Sequence, residues 1–124
     1  MAESNKILNG FGTTLFAGIP VKDIKISIAW YEKLLGCPPS FYPNEVEAVW
    51  MMSDTQWLYL IEAPERAGGS IQTIIGKDLE ATLDQIAERG IKYEKEETPA
   101  EGVRKVMFYD PDGNEIGLGR VSET

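Results

Sequence analysis

A chain of 124 residues with 43% apolar and 26% charged side chains is the size of one globular domain, able to bury a core without disulfides or metals. Twelve basic against twenty acidic residues leave a net charge of −8. That field repels nucleic-acid phosphates and anionic membranes, so neither is expected as a partner. The chain has no histidine, which removes the commonest transition-metal ligand and the usual neutral-pH base and excludes ordinary zinc sites and Ser-His-Asp or Cys-His catalysis.

The chemistry left open rests on carboxylates, amides, phenols, lysine or bound water. Cys37 is the single cysteine; with no base in view it reads as a small apolar residue following a helix. No apolar run approaches the ~18 residues of a membrane helix. The start, Met1-Ala2-Glu3-Ser4-Asn5-Lys6, has neither the basic-then-apolar order of a secretion signal nor the Arg-rich bias of a transit peptide. A cytoplasmic protein is expected.

In chain order, residues 1–12 carry little pattern and read as a loose arm, with one domain over 13–124. Thr14 to Val21 is strand-like. A helix follows to Gly36, with Ile24, Ile28, Tyr31 and Leu35 on one face, Asp23 placed to cap it and Gly36 to end it. Short strands at Phe41-Tyr42, Val46 to Met52 and Trp57 to Ile61 come next, the last two joined by a turn at Ser53-Asp54-Thr55-Gln56. Ala67-Gly68-Gly69 reads as a hinge. Beyond it Ser70 to Ile75 is strand-like, and in the helix after it Asp78, Leu79, Leu83 and Ile86 repeat Asp23, Ile24, Ile28 and Tyr31 at a constant offset, with Gly90 as the stop. Strands are expected at Ile91 to Tyr93, Val103 to Tyr109 and Glu115 to Val121. The turn Asp110-Pro111-Asp112-Gly113-Asn114 combines a preset φ, a positive φ and side chains that bond their own backbone. The whole reads as an α+β fold of two βαβββ modules, about 13–66 and 69–121.

The segment VKDIKISIAWYEKLLG, followed by FYDPDGNEIGL, resembles the glyoxalase, bleomycin-resistance and extradiol-dioxygenase superfamily, also called vicinal oxygen chelate, from about Leu15 to Val121. The resemblance implies a cupped, half-barrel mixed sheet with helices on the outside, and a homodimer that covers the open edges. It also implies, in active members, a divalent metal held on the concave face by His, Glu or Gln from the first and last strands of each half. Carried onto this chain, those positions fall on Phe16, Tyr59, Ile71 and Gly117. None suits a catalytic divalent ion, so neither metal nor cofactor is expected. A slip of one residue brings Gln72 or Glu62 into consideration. Alternation supports the first register: Ala17, Ile19, Val21, Ile116 and Leu118 face the helices, while Phe16, Gly18, Pro20, Glu115, Gly117 and Gly119 face the cup.

The expected lining is then Phe16, Trp50, Met52, Trp57, Tyr59 and Ile71, with Gly117 and Gly119 leaving room. Such a surface suits a small molecule that is aromatic or cationic; the same side chains equally suit a core or a dimer seam. Trp30 lies off the helix face and is assigned to packing between subunits. Three functions stay open. The leading one is a metal-independent protein that sequesters a small molecule. An atypical lyase, isomerase or dioxygenase-like enzyme would use Glu115, Glu62, Tyr59 or Gln72, although Glu115 also reads as a solvated carboxylate beside a turn. The third is a structural or regulatory partner whose cup is filled by its own side chains. The missing ligands weigh against an enzyme.

Overall fold

The computed structural model describes residues 7–12 and 14–122. In the first module β1 (Leu15–Val21) runs parallel to β4 (Gln56–Glu62), which pairs antiparallel with β3 (Glu47–Met51), itself flanked by β2 (Phe41–Asn44). The second repeats this order with β5 (Ile71–Ile75), β8 (Glu115–Val121), β7 (Val103–Tyr109) and β6 (Lys95–Glu97). Helix α1 (Ile24–Leu35) carries the chain from edge strand β1 to the opposite edge strand β2, and α2 (Leu79–Glu88) likewise from β5 to β6. The α+β plan of two βαβββ modules is therefore as the sequence implies, with two open four-stranded mixed sheets.

α1 begins where Asp23 accepts from the N–H groups of Lys25 and Ile26 at 3.0 and 3.1 Å. Glu62 adds a carboxylate oxygen 3.0 Å from the Ile24 N–H, so three otherwise unpaired donors of the first turn are satisfied. The helix ends at Gly36, whose φ of 84° is cheap only for glycine. In the repeat Asp78 makes no side-chain cap; the Leu79 N–H bonds the Lys77 carbonyl at 2.9 Å instead.

One core serves both modules. Ile19, Val21, Trp50, Leu58 and Leu60 from the first sheet meet Val106, Phe108, Ile116 and Leu118 from the second around Tyr31, Leu34, Leu79 and Ile86. Burial of each such aliphatic side chain contributes ~1.5–3 kcal/mol. The strand expected at 91–93 starts later, at Lys95. Ile91 is drawn into the core behind α2 and Tyr93 stands edge-on to Phe108 at 6.2 Å, so the ladder opens only with the Glu94 N–H bonding the Met107 carbonyl. Within the segment read as a loose arm, residues 7–10 form a 3-10 turn with Ile7 and Leu8 exposed, and positions 1–6 lie outside the described residues.

The turn between β7 and β8 locks the modules together. Asp110 accepts from the N–H groups of Asp112 and Asn114 through one oxygen, and from the Tyr31 hydroxyl and the Asn114 amide through the other. Asn114 also donates to the Pro20 carbonyl and accepts from the N–H groups of Gly68 and Ser70. Among the described residues, no helix is long and apolar enough to cross a membrane.

Candidate functional site

Each sheet packs one face on the core and leaves the other open, and strand register decides which side chains reach the open face. In the first module Phe16 pairs with Trp57, Gly18 with Tyr59, Met51 with Trp57 and Phe41 with Val49. The rings touch: Phe16 and Trp57 have centroids 4.5 Å apart, Phe16 and Tyr59 6.1 Å, and Phe41 and Trp57 5.8 Å. A Cβ at Gly18 would lie 2.7 Å from the Tyr59 ring, so that ring lies across the strand because residue 18 has no side chain. Phe16 remains 49% exposed, which sets this cluster apart from the core aromatics.

Two residues assigned to this face lie elsewhere. Trp50 pairs with Leu58, is buried against Tyr31 at 6.2 Å between ring centroids, and donates its indole N–H to the Cys37 carbonyl at 3.0 Å. Met52 follows the end of β3 and borders an apolar groove with Leu34, Trp50, Ile74 and Leu118 on the helix side. The hairpin register explains both. The Met52 N–H bonds the Gln56 carbonyl, which sets Met51 opposite Trp57 and turns Trp50 to the core. Met51, which sequence reading passed over, pairs with Trp57 and so has open-face parity, while it borders the same groove as Met52; parity across this turn is the signal that could have found it. Trp30, assigned to subunit packing, stands edge-on to Tyr31 at 4.8 Å.

Glu62 shares the core-side parity of Leu58 and Leu60 and caps α1, and Gln72 pairs with buried Ile116. Neither reaches the open face. The other two predicted residues there, Ile71 and Gly117, do lie on the open face of the second sheet, together with Glu115. Ile71 is 64% exposed.

This second face is polar. The Tyr109 hydroxyl donates to Glu115 Oε1 at 2.9 Å, Lys105 Nζ stands 3.8 Å from Glu115 Oε2, and Lys95 Nζ lies 5.5 Å from the Tyr109 ring centroid. The hydrogen bond to Glu115, then partial burial, pushes the Tyr109 phenol above its ordinary value. The glycines do not leave open room here. A Cβ at Gly117 would meet Lys105 Cε at 2.6 Å, and one at Gly119 would meet Ile75 Cδ1 at 3.1 Å. Lys105 and Tyr109 were legible only through the alternation of 105, 107 and 109 against 119, 117 and 115 across the β7–β8 ladder. The ring contacts of the first face and the ion pair of the second each stay within their own module.

The residues do not fit a divalent metal. Phe16, Tyr59, Ile71 and Gly117 offer a single phenol among four positions, and the Lys105 side chain runs through the space that a ligand at 117 would use. Among the described residues, no three His, Cys, Asp or Glu side chains cluster to hold an ion.

Residues 12–118 match the model of the Glyoxalase/Bleomycin resistance protein/Dioxygenase superfamily. A glyoxalase/bleomycin resistance protein from Catenulispora acidiphila DSM 44928 is similar at 50% identity, covering 89% of this chain and 99% of that one, with a TM-score of 0.84. A bleomycin resistance determinant encoded on the transposon Tn5 is 20% identical over 90% of this chain and 98% of its own, with a TM-score of 0.72. Lactoylglutathione lyase from Agrobacterium tumefaciens is 18% identical over 86% and 91%, with a TM-score of 0.66. These last two share the fold. No curated protein matches the chain.

Proposed function

The chain belongs to the Glyoxalase/Bleomycin resistance protein/Dioxygenase superfamily, and from that premise we propose that it binds and sequesters a small, planar aromatic molecule without a metal ion. One observation carries this reading: Phe16, Trp57, Tyr59 and Phe41 form a contiguous ring cluster on an open sheet face rather than in the core. Aromatic stacking on such a surface contributes roughly 0.5–1.5 kcal/mol per ring pair beyond area burial. Exposed apolar patches mark ligand-binding grooves or protein-interaction surfaces. The relative named as a bleomycin resistance determinant gives the fold a precedent tied to a small molecule.

A homodimer belongs to the same reading. Leu15, Ile71 and Ile75 are 74%, 64% and 55% exposed beside the edge strands β1 and β5, and a second copy is the economical cover for unpaired edges. Sedimentation of the purified protein tests that part.

A second reading has its own observation. Tyr109 and Glu115 form a hydrogen-bonded pair beside Lys105, an arrangement that can move a proton in a lyase or isomerase reaction. Glu115→Gln then abolishes a measured activity without unfolding the protein; an unchanged rate removes this reading.

The primary reading is tested by tryptophan fluorescence against a panel of planar aromatic compounds, with Trp57→Phe as control. Saturable quenching that disappears in Trp57→Phe supports it. A panel with no saturable response contradicts it.

A further inference from the structure

We propose that the Tyr59 hydroxyl is the specificity-determining group of the aromatic face, donating a hydrogen bond to a neutral carbonyl oxygen conjugated to the ring of the bound molecule. The inference rests on the aromatic-binding reading above and names the ligand class.

Register sets Tyr59 in the middle of this face. Phe16, Gly18 and Pro20 on β1 stand opposite Trp57, Tyr59 and Ile61 on β4, and alternation turns all six the same way. At the central pair β1 carries no side chain, and the tyrosine uses the space: a Cβ at Gly18 would lie 2.7 Å from Cζ of the ring and 2.8 Å from its hydroxyl oxygen. The polar end of the ring therefore lies over β1, beside Phe16, whose own ring touches Trp57. A molecule stacked on Phe16 and Trp57 brings its rim to this hydroxyl.

Hydrogen-bonding capacity then singles the group out. Tyr31, Tyr93 and Tyr109 each donate to a carboxylate, but among the described residues the Tyr59 hydroxyl has no partner. No buried polar side-chain atom among them lacks one, so this oxygen is open to solvent although its residue is half-buried. On β1, β3 and β4 the two other polar side chains of the same parity are committed. Trp57 donates its indole N–H to the Asp54 carbonyl at 3.3 Å, and Glu47, opposite Ile61, accepts from the Asn44 amide at 2.8 Å.

The free group decides what the ligand carries. A phenol both donates and accepts, and its lone pairs are drawn into the ring, which makes the O–H the stronger partner; its complement is an acceptor. Glu47 is the one charged side chain of that parity on these strands, and the chain carries −8 overall. No cation is at hand to hold a carboxylate or phenolate, and the field opposes one. A neutral oxygen in the plane of the stacked ring fits, and an aryl ketone supplies it.

The test uses 2-acetylnaphthalene and 2-isopropenylnaphthalene, which share ring system and shape and differ by a carbonyl oxygen against a methylene. Equilibrium dialysis measures the binding of each to wild type and to Tyr59→Phe. The variant is expected to bind 2-acetylnaphthalene about fivefold more weakly, the scale of one neutral hydrogen bond, and 2-isopropenylnaphthalene unchanged. Melting curves confirm that it folds, as removal of an unpaired hydroxyl predicts. The anion 2-naphthoate is expected to bind wild type more weakly than 2-acetylnaphthalene, and tighter binding overturns the assignment of a neutral ligand. Unchanged binding of 2-acetylnaphthalene by Tyr59→Phe, or equal weakening of both neutral probes, overturns the inference and leaves the aromatic site standing. Failure of both neutral probes to bind wild-type protein overturns the aromatic reading, and this inference with it.

Discussion

The Tyr31 hydroxyl donates a 2.8 Å hydrogen bond to the buried carboxylate of Asp110, joining the helix of the first module to the turn before the last strand of the second. Removing the hydroxyl leaves that carboxylate short of one donor. Tyr31→Phe is therefore expected to lower stability by about 1–3 kcal/mol with the fold retained, measured by urea unfolding. An unchanged midpoint would show that water takes over the donor's role.

Asn114 holds more. Its amide reaches the Pro20 carbonyl and Asp110, and its oxygen takes the N–H groups of Gly68 and Ser70. Asn114→Ala strands several partners at once and is expected to cost more than Tyr31→Phe, about 2–4 kcal/mol. Parallel unfolding curves for the two variants check the ranking.

The same phenol sets an alkaline limit. Burial first, then the charge of Asp110, pushes Tyr31 far above the ordinary phenol value of 10.0. A phenol that holds its proton in the folded state and releases it on unfolding contributes stability that is intact below pH 10 and lost above it. The loss from this one group has a slope of about 1.4 kcal/mol per pH unit. Unfolding free energies from pH 9 to 11 should fall less steeply in Tyr31→Phe than in wild type. Identical slopes would contradict the assignment.

Two tryptophans close in sequence should behave as opposites. Trp50 is buried in the shared core, while Trp57 sits among Phe16 and Phe41 on the open face. Trp50→Ala is expected to cost about 3–5 kcal/mol. Trp57→Leu should cost on the order of 1 kcal/mol from lost ring contacts and should remove most of the response to an aromatic ligand. Thermal melts and titrations of both variants separate the two roles.

The fold was legible because its signals are local and repeated. Apolar spacing on α1, the Asp23 and Gly36 punctuation and the Asp110–Asn114 turn each specify their own element, and the offset between the halves confirms the plan. The site was legible in part. Phe16, Trp57, Tyr59, Ile71, Glu115 and Gly117 reach open faces as alternation implies, but Trp50 does not, because the register of a hairpin depends on its turn, and one residue of slip exchanges the two faces. The filling of Gly117 by Lys105 was not legible, since it requires a side chain from the neighbouring strand to cross the ladder. Glu62 read as a candidate acid or base because a carboxylate's helix-capping role appears only when the strand end and the helix start are seen together.

An aromatic face on this fold that binds a small molecule does so with no metal ion. The most direct measurement is a fluorescence titration of chelator-treated protein with a planar aromatic probe, repeated after adding manganese, iron, cobalt, nickel or zinc. Saturable quenching is expected in the metal-free protein, lost in Trp57→Phe and unchanged by any added ion. Quenching that appears only after a divalent ion is restored would contradict it.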